Sequence, residues 1–439
     1  MAKVGLISLG CPKNVVDAEE ILGEVEKAGH EIVNDPARAE VLIVNTCGFI
    51  QSAKEESIDA ILDAVRYRTN GACRSVIVTG CLVQRYGVEL AKEIPEADAF
   101  LGLGRAGEIA EAISRTLGGS RVIEVERQGD WWTETRSRVL STAPWTAYLR
   151  VADGCDNRCT YCAIPDIRGA FRSKPEQSIL DEAAGLAQMG VKEINLVAQD
   201  VTRYGLDTQG ETRLPRLIDK LAEIDGIHWI RLLYCYPTRI TDDLIKTIAE
   251  NEKVCKYIDV PLQHCSERIL RAMGRQGSKD EYLKLFDRIM DACPEAALRT
   301  TFIVGFPGET AEDFKELYDF IERVRFDRVG VFAYSAEDGT PAALLSDKVH
   351  ARTAQSRFRK IMELQQGISL EKNRALIGSR MEVLVESNEG ECPTGRSYRD
   401  APDIDGLVYI TEGGSATPGD FVQVEITGAE HYDLKGCLA

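Results

Sequence analysis

Asp153-Gly-Cys-Asp-Asn-Arg-Cys-Thr-Tyr-Cys162 sets Cys155, Cys159 and Cys162 in a C-x3-C-x2-C spacing. Three thiolates this close in sequence can reach three corners of one cubane cluster, and a four-iron, four-sulfur cluster normally takes four cysteines. A triad without an obvious fourth leaves one iron open to a small molecule. A zinc site is the other reading, but zinc motifs usually repeat C-x2-C pairs and add histidine.

The stretch follows the first of six short apolar runs, at 147–151, 193–198, 229–234, 257–261, 298–304 and 329–334. Helical patterns separate them at 178–189, 215–224, 242–251, 279–292 and 311–324. Alternating strand and helix predicts an α/β fold with parallel strands, here an open or partial (βα)6 barrel. Functional residues in barrels sit at the carboxyl ends of strands. Gln199 and Asp200 follow the second run, Gln263 and His264 follow the fourth, and Arg299 lies within the fifth. The turn Gly305-Phe-Pro-Gly-Glu-Thr310 closes that fifth run. Taken alone it is a strand-to-helix turn with Thr310 as N-cap. At the mouth that carries the triad, it reads as backbone that approaches a nucleoside. Gln199, Asp200, Gln263, Arg299 and Phe306 are therefore candidate cofactor contacts, with His264 a further pocket candidate.

The segment before the barrel repeats one theme. Apolar runs at 4–9, 41–46 and 75–79 lead into Gly10-Cys11, Cys47-Gly48 and Gly80-Cys81, and helical stretches follow at 15–28, 53–66 and 87–94. This predicts a parallel sheet, and such sheets bind ligands outside their carboxyl ends. One cysteine there could be an apolar filler. Cys11, Cys47 and Cys81 at three equivalent ends read as a second three-cysteine cluster, with a zinc or structural role as the alternative. Cys73, Cys235, Cys255, Cys265, Cys293, Cys392 and Cys437 have no ligand spacing and read as structural or surface residues.

A chain of 439 residues predicts two or three domains. Boundaries fall at 1–118 for the N-terminal α/β domain and 119–145 for a linker whose Trp131-Trp132 reads as a packing anchor. The barrel covers 146–374, ending in a helix at 351–377 that leaves it, and a β module covers 375–439. Alternating runs at 381–386, 407–410 and 421–426 predict a small antiparallel, OB-like barrel. No secretory leader is expected, and no run reaches the ~18 apolar residues of a membrane span. Thirteen cysteines then point to metal or redox chemistry in a reducing cytoplasm rather than to disulfides. A net charge of −17 disfavours direct nucleic-acid binding. From Ala375 onward four basic residues face twelve acidic ones, which predicts an acidic patch and a basic partner.

Two triads, a barrel and a β module in this order resemble the methylthiotransferase family of radical-SAM enzymes over essentially the whole chain. The motifs are S-L-G-C-P-K-N, N-T-C-G-F-I and T-G-C-L-V-Q-R-Y, then D-G-C-D-N-R-C-T-Y-C-A-I-P, L-V-A-Q-D and F-I-V-G-F-P-G-E-T. The tail resembles a TRAM domain. The resemblance implies two [4Fe-4S] clusters and S-adenosyl-L-methionine (SAM), with Tyr161 near the adenine. It implies that the cluster on Cys155, Cys159 and Cys162 cleaves SAM to a 5′-deoxyadenosyl radical, which takes hydrogen from an unactivated carbon. The cluster on Cys11, Cys47 and Cys81 would hold or supply a sulfur that a second SAM methylates. G-C-P-K-N and V-A-Q-D are similar to the branch that acts on the β-carbon of an aspartate in a basic decoding-centre protein of the small ribosomal subunit. That branch implies a reductant protein as second partner. The branch acting on tRNA, at adenosine C2, usually shows other residues and a basic tail, and is the main alternative. An iron–sulfur sensor or scaffold without SAM cleavage is the alternative of another class.

Overall fold

The computed structural model describes residues 1–126, 137–412 and 416–439, so Trp131-Trp132 lies outside the described residues. The N-terminal sheet has six parallel strands in the order Glu31–Ile32, Lys3–Ser8, Val41–Thr46, Ser75–Gly80, Ala99–Leu101, Val122–Glu124. The three expected strands are its centre. Val41–Thr46 and Ser75–Gly80 are buried at every position, which is why they read as continuous apolar runs. The flanking strands are two or three residues long, below the length at which periodicity registers. One of them, Val122–Glu124, lies in the stretch read as linker. Strand order reverses between Lys3–Ser8 and Val41–Thr46, which opens a ligand crevice there.

The central sheet also has six parallel strands, ordered Arg328–Ala333, Ala297–Val304, Val254–Asp259, Trp229–Leu232, Glu193–Val197, Thr146–Arg150. It is open between Arg328–Ala333 and Thr146–Arg150. Helices Glu176–Gln188, Leu214–Ala222, Asp242–Glu250, Lys279–Ala292 and Ala311–Val324 cover its outside, close to their predicted spans. The helix Ala351–Ala375 does not leave the barrel. It lies along the edge strand Arg328–Ala333, where Gln365 Nε2 donates to the Phe326 carbonyl at 2.8 Å and Ser369 Oγ to that of Asp327 at 2.9 Å. An open edge needs such a cover.

The tail is a closed five-stranded barrel of Arg380–Ser387, Thr394–Ser397, Val408–Glu412, Phe421–Ala429 and Leu434–Leu438. One pairing corrects the antiparallel expectation: Val408–Glu412 runs parallel to Leu434–Leu438. A ring with an odd number of strands cannot alternate direction throughout.

This small barrel closes the lower end of the large one. Leu384 and Ala401 pack with Tyr148, Trp229 and Tyr257 of the barrel strands and with Val16 of the N-terminal domain. Arg396 of the tail meets Glu193 at 2.6 Å, and Arg231 meets the same carboxylate at 3.1 Å. The expected acidic patch is corrected accordingly. Asp400 pairs with Arg328, Asp405 with Arg299, Glu386 with Arg396, Glu382 with His228, Asp420 with Lys192, Glu425 with Arg380 and Glu430 with Lys435. Most of the acids serve the domain's own contacts; Glu389, Glu391, Asp403 and Glu412 are exposed without an ion pair among the described residues, Asp403 accepting from Tyr148 Oη at 3.2 Å. Among the described residues, no helix is long and apolar enough to cross a membrane.

Candidate active site between two cysteine triads

The carboxyl ends of the N-terminal strands face the mouth of the barrel, and a cavity of about 430 Å³ lies between them. All six triad cysteines line it. Cys11 is the N-cap of the helix Pro12–Lys27, and Cys81 is the first residue of the helix Cys81–Glu93. A helix N-terminus offers free N–H groups and a positive dipole end, a suitable setting for anionic sulfur. Gly10 and Gly80 precede these cysteines with φ of +99° and +98°. A Cβ on Gly80 would lie 2.5 Å from the Thr46 carbonyl oxygen, so the turn admits only glycine. Asn14 Nδ2 donates to the carbonyls of Leu9 and Thr46 at 2.9 and 3.0 Å, tying two strand ends together.

The second triad sits on the loop after Thr146–Arg150. The Cys155 N–H donates to the Gly169 carbonyl at 2.9 Å, and Thr160 N–H to that of Met273 at 2.9 Å. Asn157 Nδ2 donates to Asp200 at 3.0 Å. The helix Ile164–Arg168 then carries Arg168 back across the cavity, within 3.5 Å of Cys81 Sγ.

Burial pushes the thiols of Cys81 and Cys162 up to about 12 and that of Cys155 to about 11, and it raises Cys47. Burial also opposes ionisation of Cys11, but the cations of Lys13 and Arg168 outweigh it and hold that thiol below its usual value. Within each triad the sulfurs feel one another's charge. A seventh cysteine, Cys235, also lines the cavity, although its spacing carried no signal. Its electrostatic neighbours are Asp259 and Asp200, not a triad.

Of the sequence candidates, Tyr161, Gln199 and Gln263 line the cavity. Gln199 Nε2 donates to Asp153 at 3.3 Å, while its Oε1 is buried without a partner. Gln263 has φ +72° and bridges to Phe302 through its backbone. The other expected contacts lie outside the lining of the cavity. Asp200 is 1% exposed and already accepts from Asn157, Thr202 and Arg239, so it braces the triad loop instead of facing the cavity. Arg299 lies near the amino end of its strand and pairs with Asp259 and Asp405, because the barrel interior there is closed by the tail. Phe306 is fully buried among Ile269, Met273 and Ala342, edge-on behind Tyr161. The 305–310 turn is held by its own contacts. Gly305 N–H donates to Glu309, and Thr310 with Asp313 forms a capping box. His264 is buried behind that turn, its Nδ1 accepting from the Ser266 N–H at 3.0 Å.

Sequence reasoning missed Lys13, Asn14, Arg168, Tyr234, Tyr236, Arg275 and Phe332, all in the lining. Lys13 and Asn14 stand inside a quoted motif, and Arg168 six residues after Cys162. Tyr234, Tyr236 and Arg275 carried no signal, because only the fold brings their loops to the mouth. Among the described residues no three His, Cys, Asp or Glu side chains gather closely enough for a single metal ion. Two sets of three thiols spread over one largely apolar wall, with the cations Lys13, Arg168 and Arg275 and the unpartnered Gln199 Oε1, suit two larger iron–sulfur groups and a polar cofactor.

Residues 149–321 match the Radical SAM superfamily, 3–102 the Uncharacterized protein family UPF0004, and 377–438 the TRAM domain. The "Ribosomal protein uS12 methylthiotransferase RimO" of Desulforamulus reducens is 52% identical, over 100% of both chains. That of Pelotomaculum thermopropionicum is 51% identical over 99% of this chain and 98% of its own. The solved structure of the radical S-adenosylmethionine methyltransferase TsrM from Kitasatospora setae, with tryptophan substrate and a SAM analogue, is 14% identical with a TM-score of 0.57. It covers 90% of this chain and 80% of TsrM, a likeness of fold.

Proposed function

The chain belongs to the uS12 methylthiotransferase family of radical-SAM enzymes, and from that premise we propose that it places a methylthio group on the β-carbon of an aspartate of ribosomal protein uS12. Cys155, Cys159 and Cys162 would hold one [4Fe-4S] cluster, and Cys11, Cys47 and Cys81 the other. When bound, the clusters and SAM supply the one-electron cleavage, hydrogen abstraction and sulfur delivery that side chains cannot perform.

One observation carries this reading: two triads from two different sheets open onto a single cavity. Substrate carbon, SAM and sulfur can then meet without leaving it, and holding reactants together is itself a large part of a rate enhancement. The protein's own residues orient and exclude. Gln199 Oε1, buried and unpartnered, is placed to accept from the SAM ammonium. Arg275, also in the lining, donates to the Pro261 carbonyl at 2.7 Å and keeps its Nε without a partner. Tyr161, backed edge-on by Phe306 at 6.5 Å, offers a fixed ring to the adenine. The apolar wall keeps water from the reacting centre.

In this reading residues 1–118 serve the sulfur-bearing cluster, 146–374 the SAM chemistry, and 375–439 brace the barrel from below. The protein works in the cytoplasm, takes electrons from a reductant protein and needs no direct nucleic-acid contact. The test is iron content together with mass spectrometry of uS12. Reconstituted protein should hold about eight irons, four per cluster. Replacing Cys155, Cys159 and Cys162 by Ala should remove half the iron and all SAM cleavage. Replacing Cys11, Cys47 and Cys81 should remove the other half and uS12 modification, but leave SAM cleavage. An N-terminal variant that keeps all its iron, or unmodified uS12 beside modified tRNA, overturns the reading.

A further inference from the structure

Among the described residues, every buried lysine or arginine but one meets a carboxylate. Lys54 meets Glu337, Arg138 meets Glu19 and Glu182, and Arg150 meets Asp17 and Glu20. Arg168 meets Asp17 and Asp153, Lys174 meets Glu182, Arg231 and Arg396 meet Glu193, and Arg328 meets Asp400. The exception is Lys13. It is 8% exposed, lines the cavity beside Cys11, and has no carboxylate within ion-pair distance.

Its position opposes local physics twice. Lys13 stands in the first turn of the helix Pro12–Lys27, where the macrodipole disfavours a cation. A desolvated ammonium without a carboxylate is also costly, and the neighbouring Cys11 sulfur offsets part of that cost. What holds it is the Tyr234 ring, with Nζ 3.7 Å from the ring centroid. Such a cation–π contact offsets only part of the cost. Tyr234 is itself held in place. Its backbone has φ +65°, a strained value for a tyrosine, and its N–H donates to Asp259 at 2.8 Å. Strain of this kind clusters at active sites and ligand clamps.

Of the other cations of the cavity, Arg168 is committed to Asp17 and Asp153. Arg275, only part-buried, likewise lacks a carboxylate, but it lies at the opposite triad against Cys159 and Tyr236 and donates to the Pro261 carbonyl. We propose that Lys13, on its Tyr234 shelf, is a specificity-determining residue that receives the carboxylate of the acceptor side chain of uS12. This rests on the proposed function, in which that acceptor is an aspartate. The ion pair would form only with substrate in place, completing the set that every other buried cation among the described residues already has. It would set the β-carbon next to the carboxylate at a fixed distance from the Cys11 side of the cavity.

The experiment measures binding of uS12, and of uS12 with its acceptor aspartate changed to asparagine, to the reconstituted enzyme. Wild type should prefer the aspartate form at least tenfold. Lys13→Gln and Lys13→Met, checked for full iron content, should bring that ratio close to one by weakening the aspartate form alone. Lys13→Arg should retain the preference. If wild type does not distinguish the two forms, the aspartate reading itself fails. If wild type distinguishes them and both neutral variants do so equally well, Lys13 is not the anchor, and the proposed function stands. A uniform loss for both forms, with the ratio intact, also overturns the inference, because it is what mere balancing of cluster charge would give.

Discussion

Arg168 Nη2 lies 3.5 Å from Cys81 Sγ, although the two residues are 87 positions apart and belong to helices that follow strands of different sheets. The same guanidinium meets Asn14 Oδ1 at 2.8 Å, Asp17 at 2.7 Å and Asp153 at 3.2 Å, and is 1% exposed. One side chain, six residues after the last cysteine of the barrel triad, thus fixes the N-terminal triad against the barrel loop.

Arg168→Gln is expected to leave Asp153 without its ion pair and Asp17 with Arg150 alone. Breaking a buried pair by removing one partner costs about 3–5 kcal/mol. Urea denaturation should show this loss, and the iron bound by Cys11, Cys47 and Cys81 should fall. Arg168→Lys should restore only part, because an ammonium cannot span the planar set of acceptors. Unchanged stability and iron in Arg168→Gln would remove Arg168 from this role.

Gln199 and Asp200 are neighbours with different expected phenotypes. Gln199→Ala should weaken SAM binding, read by calorimetry, with iron content unchanged, since Gln199 lines the cavity and its Oε1 is free. Asp200→Ala should instead lower iron retention at the barrel triad, since Asp200 holds Asn157 in the triad loop. Reversed phenotypes would contradict the placement of both.

Glu193 gives the acid dependence of stability. Burial alone would raise its carboxyl, but the Arg396 and Arg231 guanidinia and the Thr146 hydroxyl bring it down to about 2. A group lowered in the folded state stabilises fully above its unfolded value, near 4.3, and loses that contribution as pH falls toward the folded value. Stability should therefore drop between about pH 4.5 and 2. Glu193→Gln should flatten this limb and should destabilise the neutral protein by about 3–5 kcal/mol, because two buried guanidinia lose their shared partner. Denaturation midpoints across a pH series check both.

Tail acids should divide by location. Asp405→Asn should destabilise, as Asp405 accepts from Tyr257 Oη at 2.6 Å and faces Arg299 at 3.5 Å in the closed end of the barrel. Glu389→Gln with Glu391→Gln should leave stability within about 0.5 kcal/mol. Any effect on uS12 binding should then be in the on-rate and fade with salt. A loss carried by a faster off-rate that persists at high salt would show a direct contact at these two residues.

The cysteine spacing, the six apolar runs of the barrel and the three central strands of the N-terminal sheet were legible in the sequence. They rest on local patterning, on which period and turn residues act directly. The position of Cys11, Cys47 and Cys81 at strand ends was legible for the same reason, because parallel sheets place their loops in register. What the chain does with Arg299, Phe306, Asp200 and the tail acids was not. Each is polar or aromatic in a strand or at a strand end, and sequence does not say which end of a barrel is closed or which side of a strand end faces a cavity.

Sequence by itself therefore determined the principal elements, their order and the two cysteine triads at strand ends. Only the tertiary structure decided that the triads share one cavity, that the tail turns Asp400 and Asp405 onto the barrel's Arg328 and Arg299, and that Lys13 is the buried cation without a carboxylate among the described residues. Those facts depend on pairs such as Arg396 with Glu193, 203 residues apart. An ion pair or a cavity wall exists only where folding sets distant side chains within a few ångströms in a medium too poor in water to screen them.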